Sequence, residues 1–253
     1  MSRVAVITGA GRGIGRACAL ALAQAGYSVG LQARSRDQLD ETARQIEGAG
    51  GRALVVPGDV TEAGAAQALV DGASAAFGRV DVAVAGAGQA ISQPLGRTTE
   101  AQLRQMLDVN LIAAFHLMQA AVPAMDKDGG RLVVIASTAA VKGMSYTAAY
   151  SASKHAVLGL VRSAALELAR KQITVNALCP GWVDTAMFDA TLDNIVGKTG
   201  RSREEARAAI EARIPTRRVC NVDEVAATLK YIVSDDAAQL TGQALVLDGG
   251  ETL

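Results

Sequence analysis

Seven short apolar runs, each followed by a stretch with helical spacing, most constrain how this chain folds. The runs are VAVIT (4–8), SVGLQA (28–33), ALVVPGD (53–59), VDVAVAG (80–86), RLVVIAS (131–137), ITVNAL (173–178) and ALVLD (244–248). Their apolar residues are continuous rather than alternating, which is typical of strands covered on both faces. Strands that alternate with helices form parallel sheets. The sequence therefore predicts an α/β fold with a doubly wound, seven-stranded parallel sheet and helices on both faces.

The helices between these runs are predicted from apolar spacing and capping signals. They cover about residues 14–25, 62–77, 99–125, 149–169 and 222–233, and a further helix opens at Ser35. Ser35 with Gln38, and Thr99 with Gln102, have the spacing of capping boxes. No linker or internal repeat interrupts the pattern, so residues 1–253 are predicted to form one domain. The segment at about 186–214 is the least regular, and we expect a mobile substrate lid there with a short helix.

The composition argues against several classes of function. The chain has no formal net charge and only 3% aromatic residues, which disfavours a nucleic-acid partner. We find no leader segment and no unbroken apolar run long enough to span a bilayer. Two histidines and three well-separated cysteines disfavour a metal site and favour a reducing compartment. We therefore expect a cytoplasmic protein with no bound metal and no membrane or nucleic-acid partner.

A glycine-rich stretch, TGAGRGIG at residues 8–15, follows the first predicted strand. Glycine permits positive φ and lets a diphosphate approach the backbone, while a helix N-terminus attracts the negative charge. The spacing T-G-x-x-x-G-x-G, with Gly9, Gly13 and Gly15, differs from the usual G-x-G-x-x-G of dinucleotide sites. The alternative interpretation is a tight turn without a ligand. Its place after the first strand of a doubly wound sheet favours a nucleotide cofactor.

A hydroxyl, a phenol and an amine form the second candidate site. Tyr150 and Lys154 are four residues apart on a predicted helix and so share a face, and Ser137 ends the preceding strand. Reduction of a carbonyl needs an acid at the oxygen as charge develops there, and a nearby ammonium is expected to lower the pKa of a tyrosine. Ser137 can donate a hydrogen bond to the same oxygen. Taken alone, the tyrosine–lysine pair would be a surface coincidence.

Together these features resemble the short-chain dehydrogenase/reductase family in its single-domain form, over essentially the whole chain. The resemblance rests on TGAGRGIG, on Asp59-Val60, on Asn110 in DVNL, on Ser137, on YSASK (150–154) and on PGWVDT (180–185). It implies a Rossmann-like fold and a nicotinamide-dependent oxidoreductase, similar to 3-oxoacyl-thioester and polyketide ketoreductases. It also implies a homotetramer, built through the helices at about 100–125 and 149–169 and through the C-terminal segment.

The resemblance further implies roles for individual residues. Tyr150 would be the general acid/base, Ser137 would orient the carbonyl, and Lys154 would bind the nicotinamide ribose and tune Tyr150. Asn110 would hold a water that links Lys154 to solvent; the alternative is a buried amide satisfied by backbone. Asp59 and Val60 would contact the adenine. The other residues carried over to cofactor binding, besides Tyr150 and Lys154, are Gly9, Gly11, Arg12, Gly13, Ile14, Gly15, Gly86, Ala87, Gly88, Pro180, Gly181, Val183 and Thr185.

One motif departs from the family pattern. Where the family usually has N-N-A-G after the fourth strand, this chain has Ala85-Gly86-Ala87-Gly88. Ala85 cannot make the side-chain hydrogen bonds by which asparagine braces the centre of the sheet. We therefore expect an effect on local rigidity rather than on the chemistry, because no proton-transfer group is lost.

Two arginines predict which nicotinamide cofactor is used. An NAD site commonly has a carboxylate at the end of the second strand, where this chain has Ala33 followed by Arg34. Arg12 lies in the glycine loop, from where family members that prefer NADP reach the same 2′-phosphate. Two guanidiniums can clamp that phosphate. The sequence therefore predicts NADP (NADPH); the alternatives are two solvated arginines, or NAD through Asp37, the one nearby acid.

The substrate is predicted only by class. The pocket walls are expected to be partly apolar, with Ile91, Met144, Trp182, Met187 and Phe188. The arginines at 201–218 are expected to form a salt-bridged face, the alternative being a site for an anionic handle such as coenzyme A. We expect an NADP-dependent reductase of a 3-oxoacyl thioester or of a cyclic or polyketide-like ketone. The alternative from another class is a non-catalytic NADP-binding regulatory protein.

Overall fold

The computed structural model describes residues 2–125 and 129–253, and its strands form one parallel sheet. The strands are β1 (Val4–Thr8), β2 (Ser28–Ala33), β3 (Arg52–Pro57), β4 (Val82–Ala85), β5 (Gly130–Ile135), β6 (Ile173–Pro180) and β7 (Ala244–Leu247). They lie in the order β3-β2-β1-β4-β5-β6-β7. The chain continues from β1 to β2 on one side of the sheet and from β4 to β5 on the other. The connections after β1 and β4 therefore diverge, which leaves a crevice at the carboxyl ends of these two strands. The predicted doubly wound sheet is confirmed.

The continuous apolar strands are explained by two separate cores. Val4 and Val6 of β1 point into one core, and Ala5 and Ile7 into the other. Successive side chains of a strand point to opposite faces, so a sheet covered on both sides needs an apolar residue at every position. Helices α1 (Gly13–Gln24), α2 (Arg36–Gly48) and α9 (Val222–Ile232) supply one core. Helices α3 (Ala65–Phe77), α5 (Ala113–Met125) and α6 (Ala148–Leu168) supply the other.

The helix beginnings follow their capping residues. The Thr99–Gln102 capping box is complete and starts α4 (Glu100–Leu107). The Ser35 hydroxyl accepts from the amide of Gln38, which is only half of the box that the spacing predicts. Helix α3 begins at Ala65 rather than near residue 62, because Gly64 has a φ of 82° and cannot belong to the helix.

The long helix predicted over 99–125 is interrupted. A π turn at Asp108–Ile112 separates α4 from α5 and contains the buried Asn110. By length and composition alone, residues 100–125 could cross a membrane, and their most apolar stretch has a mean hydropathy of 1.3. In the structure Leu117 and Ala121 of this helix pack in a core with the sheet.

The segment 186–214 is more regular than predicted. It forms two helices, α7 (Ala186–Thr199) and α8 (Arg203–Glu211), where one short helix was expected. Thr185 caps α7 by accepting from the amide of Phe188, and Ser202 starts α8 with a complete capping box. Gly200, with a φ of 69°, separates the two helices. They share a small core of their own, formed by Phe188, Leu192, Ala206, Ile210, Ile214 and Val219.

Candidate active site

The glycine loop lies between β1 and α1 and is shaped by steric necessity. Gly9 and Gly13 have φ values of 73° and 54°, where other residues are strained. A Cβ atom on Gly15 would lie 2.1 Å from the carbonyl oxygen of Gly9. Arg12 is the N-cap of α1, and no side chain caps the first amides of this helix. Free amides and a helix N-terminus together fit a bound diphosphate.

The residues after β4 close on this loop from the other side of the crevice. A Cβ atom on Gly9 would lie 2.7 Å from the amide nitrogen of Ala87, and one on Gly86 would lie 2.7 Å from the carbonyl oxygen of Thr8. The Thr8 hydroxyl accepts from the amides of Gly86 at 3.2 Å and Ala87 at 3.3 Å. Thr8 thus makes side-chain hydrogen bonds to the segment after β4, which Ala85 cannot make. Sequence reasoning missed this role, although a hydroxyl at the carboxyl end of β1 was a visible signal.

Ser137, Tyr150 and Lys154 come together as predicted, at the carboxyl end of β5. The Ser137 hydroxyl accepts from the amide of Ala139 at 3.1 Å and also hydrogen-bonds to the Tyr150 side chain. Lys154 is 3% exposed, and its Nζ donates to the carbonyl oxygen of Ile135 at 2.9 Å. The same Nζ lies 5.9 Å from the centre of the Tyr150 ring. A proton donor and a buried cation therefore share one face of α6.

Burial dominates the electrostatics of this group. It raises the pKa of the Tyr150 phenol above its usual value of 10, and the hydrogen bond with Ser137 partly opposes that rise. The expectation that Lys154 brings the Tyr150 pKa below its usual value is therefore wrong, because burial raises that pKa. Burial also lowers the pKa of Lys154 to about 8. The phenol is protonated at neutral pH and can act as an acid.

Cys179 lies beside this group but does not share its chemistry. The side chain is fully buried at the end of β6. Burial raises the pKa of its thiol to about 11. A protonated thiol is a poor nucleophile.

Asn110 links three segments through its side-chain amide. Its Oδ1 accepts from the amide of Gln89 at 2.9 Å, and its Nδ2 donates to the Gln89 carbonyl at 3.0 Å and to Ser153 Oγ at 2.9 Å. Ser153 Oγ in turn donates to the carbonyl oxygen of Tyr150 at 2.7 Å. The amide is satisfied by protein groups, as the alternative interpretation required, and it fixes the loop after β4 to α6. Sequence reasoning missed Gln89 and Ser153, although Ser153 lies inside YSASK.

Arg12 and Arg34, the two arginines predicted to bind the 2′-phosphate, both line the other end of the crevice. Arg34 is 68% exposed, and its Nη1 lies 4.0 Å from Asp59 Oδ2. The Thr61 amide and hydroxyl donate to Asp59 at 3.0 and 2.8 Å and hold the pKa of this carboxyl below its usual range. The Arg12 backbone oxygen accepts from the Arg16 amide at 3.3 Å, but the Arg12 side chain has no hydrogen bond or ion pair within residues 2–125 and 129–253. Asp37 is not the one nearby acid, because β3 lies next to β2 and brings Asp59 to Arg34.

These parts line one continuous cleft of about 2090 Å³. A pocket for one drug-sized ligand holds roughly 300–1,000 Å³, so this cleft has room for a dinucleotide and a second molecule. Every predicted site residue except Asn110 lines it. The lining cofactor and catalytic residues are Gly9, Gly11, Arg12, Gly13, Ile14, Gly15, Arg34, Asp59, Val60, Gly86, Ala87, Gly88, Ser137, Tyr150, Lys154, Pro180, Gly181, Val183 and Thr185.

The opposite wall of the cleft is partly apolar, as predicted. Ile91, Met144, Trp182, Met187 and Phe188 all line it. Three of the six arginines at 201–218 form ion pairs. Arg203 pairs with Asp189 and Asp193, Arg207 with Asp184 and Glu211, and Arg218 with Glu224. The salt-bridged face that the sequence favoured is confirmed for these three.

A doubly wound sheet whose crevice joins a glycine loop to a serine, a tyrosine and a buried lysine is the architecture of a dinucleotide-dependent oxidoreductase. A family model described as Enoyl-(Acyl carrier protein) reductase matches residues 9–252. A Streptomyces violaceoruber protein assigned as ketoacyl reductase 1 of the granaticin polyketide synthase is 39% identical over 98% of this chain and 92% of its own length. L-2,3-butanediol dehydrogenase of Corynebacterium glutamicum is 37% identical over 99% of this chain and 98% of its own.

The structural comparison agrees. The crystal structure of a variant of actinorhodin polyketide ketoreductase with NADPH matches with a TM-score of 0.95 and 36% identity, over 99% of this chain and 97% of that one. The chain belongs to the short-chain dehydrogenase/reductase family and is an oxidoreductase.

Replacing Lys154 by methionine tests the cost of burying its charge. Because burial lowers the pKa of Lys154 from 10.5 to about 8, the unfolded chain binds more protons than the folded protein between these values. The free energy of unfolding of the wild type should therefore rise relative to that of Lys154→Met from pH 8 to 10.5, by up to about 3 kcal/mol. Urea unfolding without cofactor measures the difference, with the exposed Lys230→Met as control. A difference that does not change with pH contradicts the buried-charge assignment.

Proposed function

We propose that this protein is an NADPH-dependent ketone reductase in which Tyr150 protonates the carbonyl oxygen. The observation that carries the proposal is the group of Ser137, Tyr150 and the buried Lys154 in the same cleft as the glycine loop. The raised pKa of Tyr150 keeps the phenol protonated at neutral pH, which suits reduction rather than oxidation.

The residues divide the work of this reaction. The nicotinamide cofactor, when bound, supplies the hydride. Tyr150 donates its phenolic proton to the carbonyl oxygen as negative charge develops there. Ser137 Oγ already accepts from the Ala139 amide, so its hydrogen is available to donate to the same oxygen. Both groups act where charge appears only in the transition state.

Lys154 and Asn110 support Tyr150. One hydrogen of the Lys154 ammonium is used by the Ile135 carbonyl, which leaves two for a cofactor ribose and for the proton path. Asn110 holds the backbone of Tyr150 in register through Ser153. We propose that the water linking Lys154 to solvent is held at this π turn. The Asn110 side-chain amide positions the turn and does not itself donate to the water.

The cofactor preference follows from the two arginines. Arg12 and Arg34 line the end of the cleft where β2 stops, and the residue there is Ala33 instead of a carboxylate. The match to an NADPH-bound ketoreductase supports the same choice. Asp59 is close enough to steady Arg34, and at 4.0 Å in an exposed pair it leaves the guanidinium free to bind a phosphate.

The apolar wall favours cyclic or polyketide-like ketones over thioesters carried by an anionic handle. Three of the arginines that could hold such a handle are neutralised in ion pairs. The names of the granaticin and actinorhodin relatives agree with this class. A regulatory protein without turnover would not need the intact Ser137, Tyr150 and Lys154, and the relatives named above are enzymes.

We further propose a cytoplasmic homotetramer. Ile112 at the end of the π turn, Phe115 on α5 and Leu166 on α6 are apolar and exposed, Leu166 to 83%. Val246 of the edge strand β7 is exposed as well. Apolar side chains on two neighbouring helices and at a sheet edge suit two different self-contacts, which a closed tetramer requires.

Tyr150→Phe tests the catalytic assignment. Loss of the phenolic proton should lower kcat for ketone reduction by about 100-fold or more, while the Kd for NADPH changes little because the ring remains. NADPH oxidation with a panel of ketones measures the first, and cofactor titration the second. The exposed Tyr231→Phe is the matched control. Equal rates in Tyr150→Phe and wild type would remove Tyr150 from the mechanism.

Arg34→Ala tests the phosphate clamp. A charge-assisted hydrogen bond contributes roughly 1.5–3 kcal/mol, so kcat/KM for NADPH should fall about 10- to 100-fold and that for NADH should change little. Both cofactors are measured in wild type, Arg34→Ala and Ala33→Asp, the last of which should favour NADH. The clamp is refuted by a wild type that prefers NADH, or by equal losses for both cofactors.

Leu166→Glu together with Phe115→Glu tests the assembly. Light scattering of the wild type should give four times the chain mass of 26.0 kDa, and the double variant should give a smaller species because buried carboxylates oppose the contact. Ala49→Glu, exposed at the end of α2, controls for added charge. A monomeric wild type overturns the proposal.

A further inference from the structure

A tightly built turn follows β7 and returns the chain to the cleft. We call residues 248–252 the β7 turn. The Asp248 carboxylate accepts from the amides of Gly250 and Thr252, both at 2.8 Å, and from the Thr252 hydroxyl at 2.6 Å. Gly249 and Gly250 have φ values of 63° and 90°, which the bend requires. The turn therefore presents Glu251 in a fixed position.

Glu251 contacts two other walls of the cleft. Its Oε1 accepts from the indole nitrogen of Trp182 at 3.3 Å. Its backbone oxygen accepts from Lys142 Nζ at 3.3 Å, from the loop between β5 and α6. Its Oε2 is buried and has no hydrogen-bond partner in the described part of the chain. A buried carboxylate oxygen without a hydrogen-bond partner lowers the stability of the protein, so stability alone does not explain Glu251.

Trp182, the partner of Glu251, shapes the substrate end of the cleft. Its ring centre lies 5.9 Å from that of Phe188, with the planes tilted by 57°. Both rings line the cleft, and Phe188 is buried beneath the Arg207 guanidinium at 5.5 Å. Packing therefore fixes the Phe188 ring, whereas the hydrogen bond to Glu251 fixes the indole nitrogen edge of Trp182.

We propose that Glu251 is a positioning residue that fixes the Trp182 ring as a wall of the substrate pocket, and that this wall selects ketones with an apolar ring. This inference rests on the proposed function of the same cleft. A flat ring gains contact area against a fixed indole, while a short open-chain ketone is too small to cover it. The effect of Glu251 should therefore depend on the shape of the substrate.

Fluorescence tests the positioning directly, because Trp182 is the single tryptophan of the chain. Without cofactor, Glu251→Ala should shift the emission of Trp182 and increase its quenching by acrylamide. Glu251→Gln should resemble the wild type, since its amide oxygen can still accept from the indole. Glu47→Ala, on an exposed part of α2, is the control. Identical emission and quenching in Glu251→Ala and wild type overturn the proposal.

Kinetics test the selection. In Glu251→Ala, kcat/KM for the bicyclic ketone 1-tetralone should fall about 10-fold, the equivalent of one charge-assisted hydrogen bond, mostly through KM. The value for 2,3-butanedione should stay nearly constant, and Glu251→Gln should restore tetralone reduction. Equal losses for both ketones, or none, overturn the selection. A wild type that reduces no ketone would refute the proposed function and the selection, whereas the fluorescence result would still decide whether Glu251 positions Trp182.

Discussion

The close approach of two backbones, at the carboxyl ends of β1 and β4, is the constraint on which the site depends. These strands are neighbours in the sheet, and the chain continues from β1 to β2 on one side and from β4 to β5 on the other. At the point where they diverge, Gly9 and Gly86 touch so closely that neither can carry a side chain. The Thr8 hydroxyl fixes the contact by accepting two amides. Backbone atoms thus determine the shape of the cofactor crevice, and side chains determine which ligand it binds.

The other half of the site is built at a cost in stability. Lys154 is buried beside Tyr150 with one carbonyl as its polar partner among the described residues, and its lowered pKa records the expense of removing that charge from water. Burial likewise holds the Tyr150 proton in place. The cores on both faces of the sheet supply the rigidity that keeps these groups together. The fold is stable enough to keep Lys154 and Tyr150 buried despite this cost, and the reactivity of the two groups depends on that burial.

Much of this could be read from the sequence, because local patterns determine it. The apolar runs predicted all seven strands, and the four-residue spacing placed Tyr150 and Lys154 on one face of α6. The missed features depend on contacts between distant positions. The π turn accompanies bonds between Asn110 and Gln89, and the brace at Thr8 joins positions 78 residues apart. The sequence predicted one short helix where the structure has α7 and α8, because the capping residues Thr185 and Ser202 were not recognised as such.

The β7 turn also bears on the order in which the molecule matures. Its bonds to Trp182 and Lys142 span 69 and 109 positions, far longer than those within any helix. The residues that form the β1–β4 crevice, Thr8, Gly9 and Gly86, all precede Trp182 in the chain. Because a protein is synthesised from its N-terminus, the crevice residues are made before Trp182 and the β7 turn. The substrate wall is thus the last part of the cleft that a growing chain can complete.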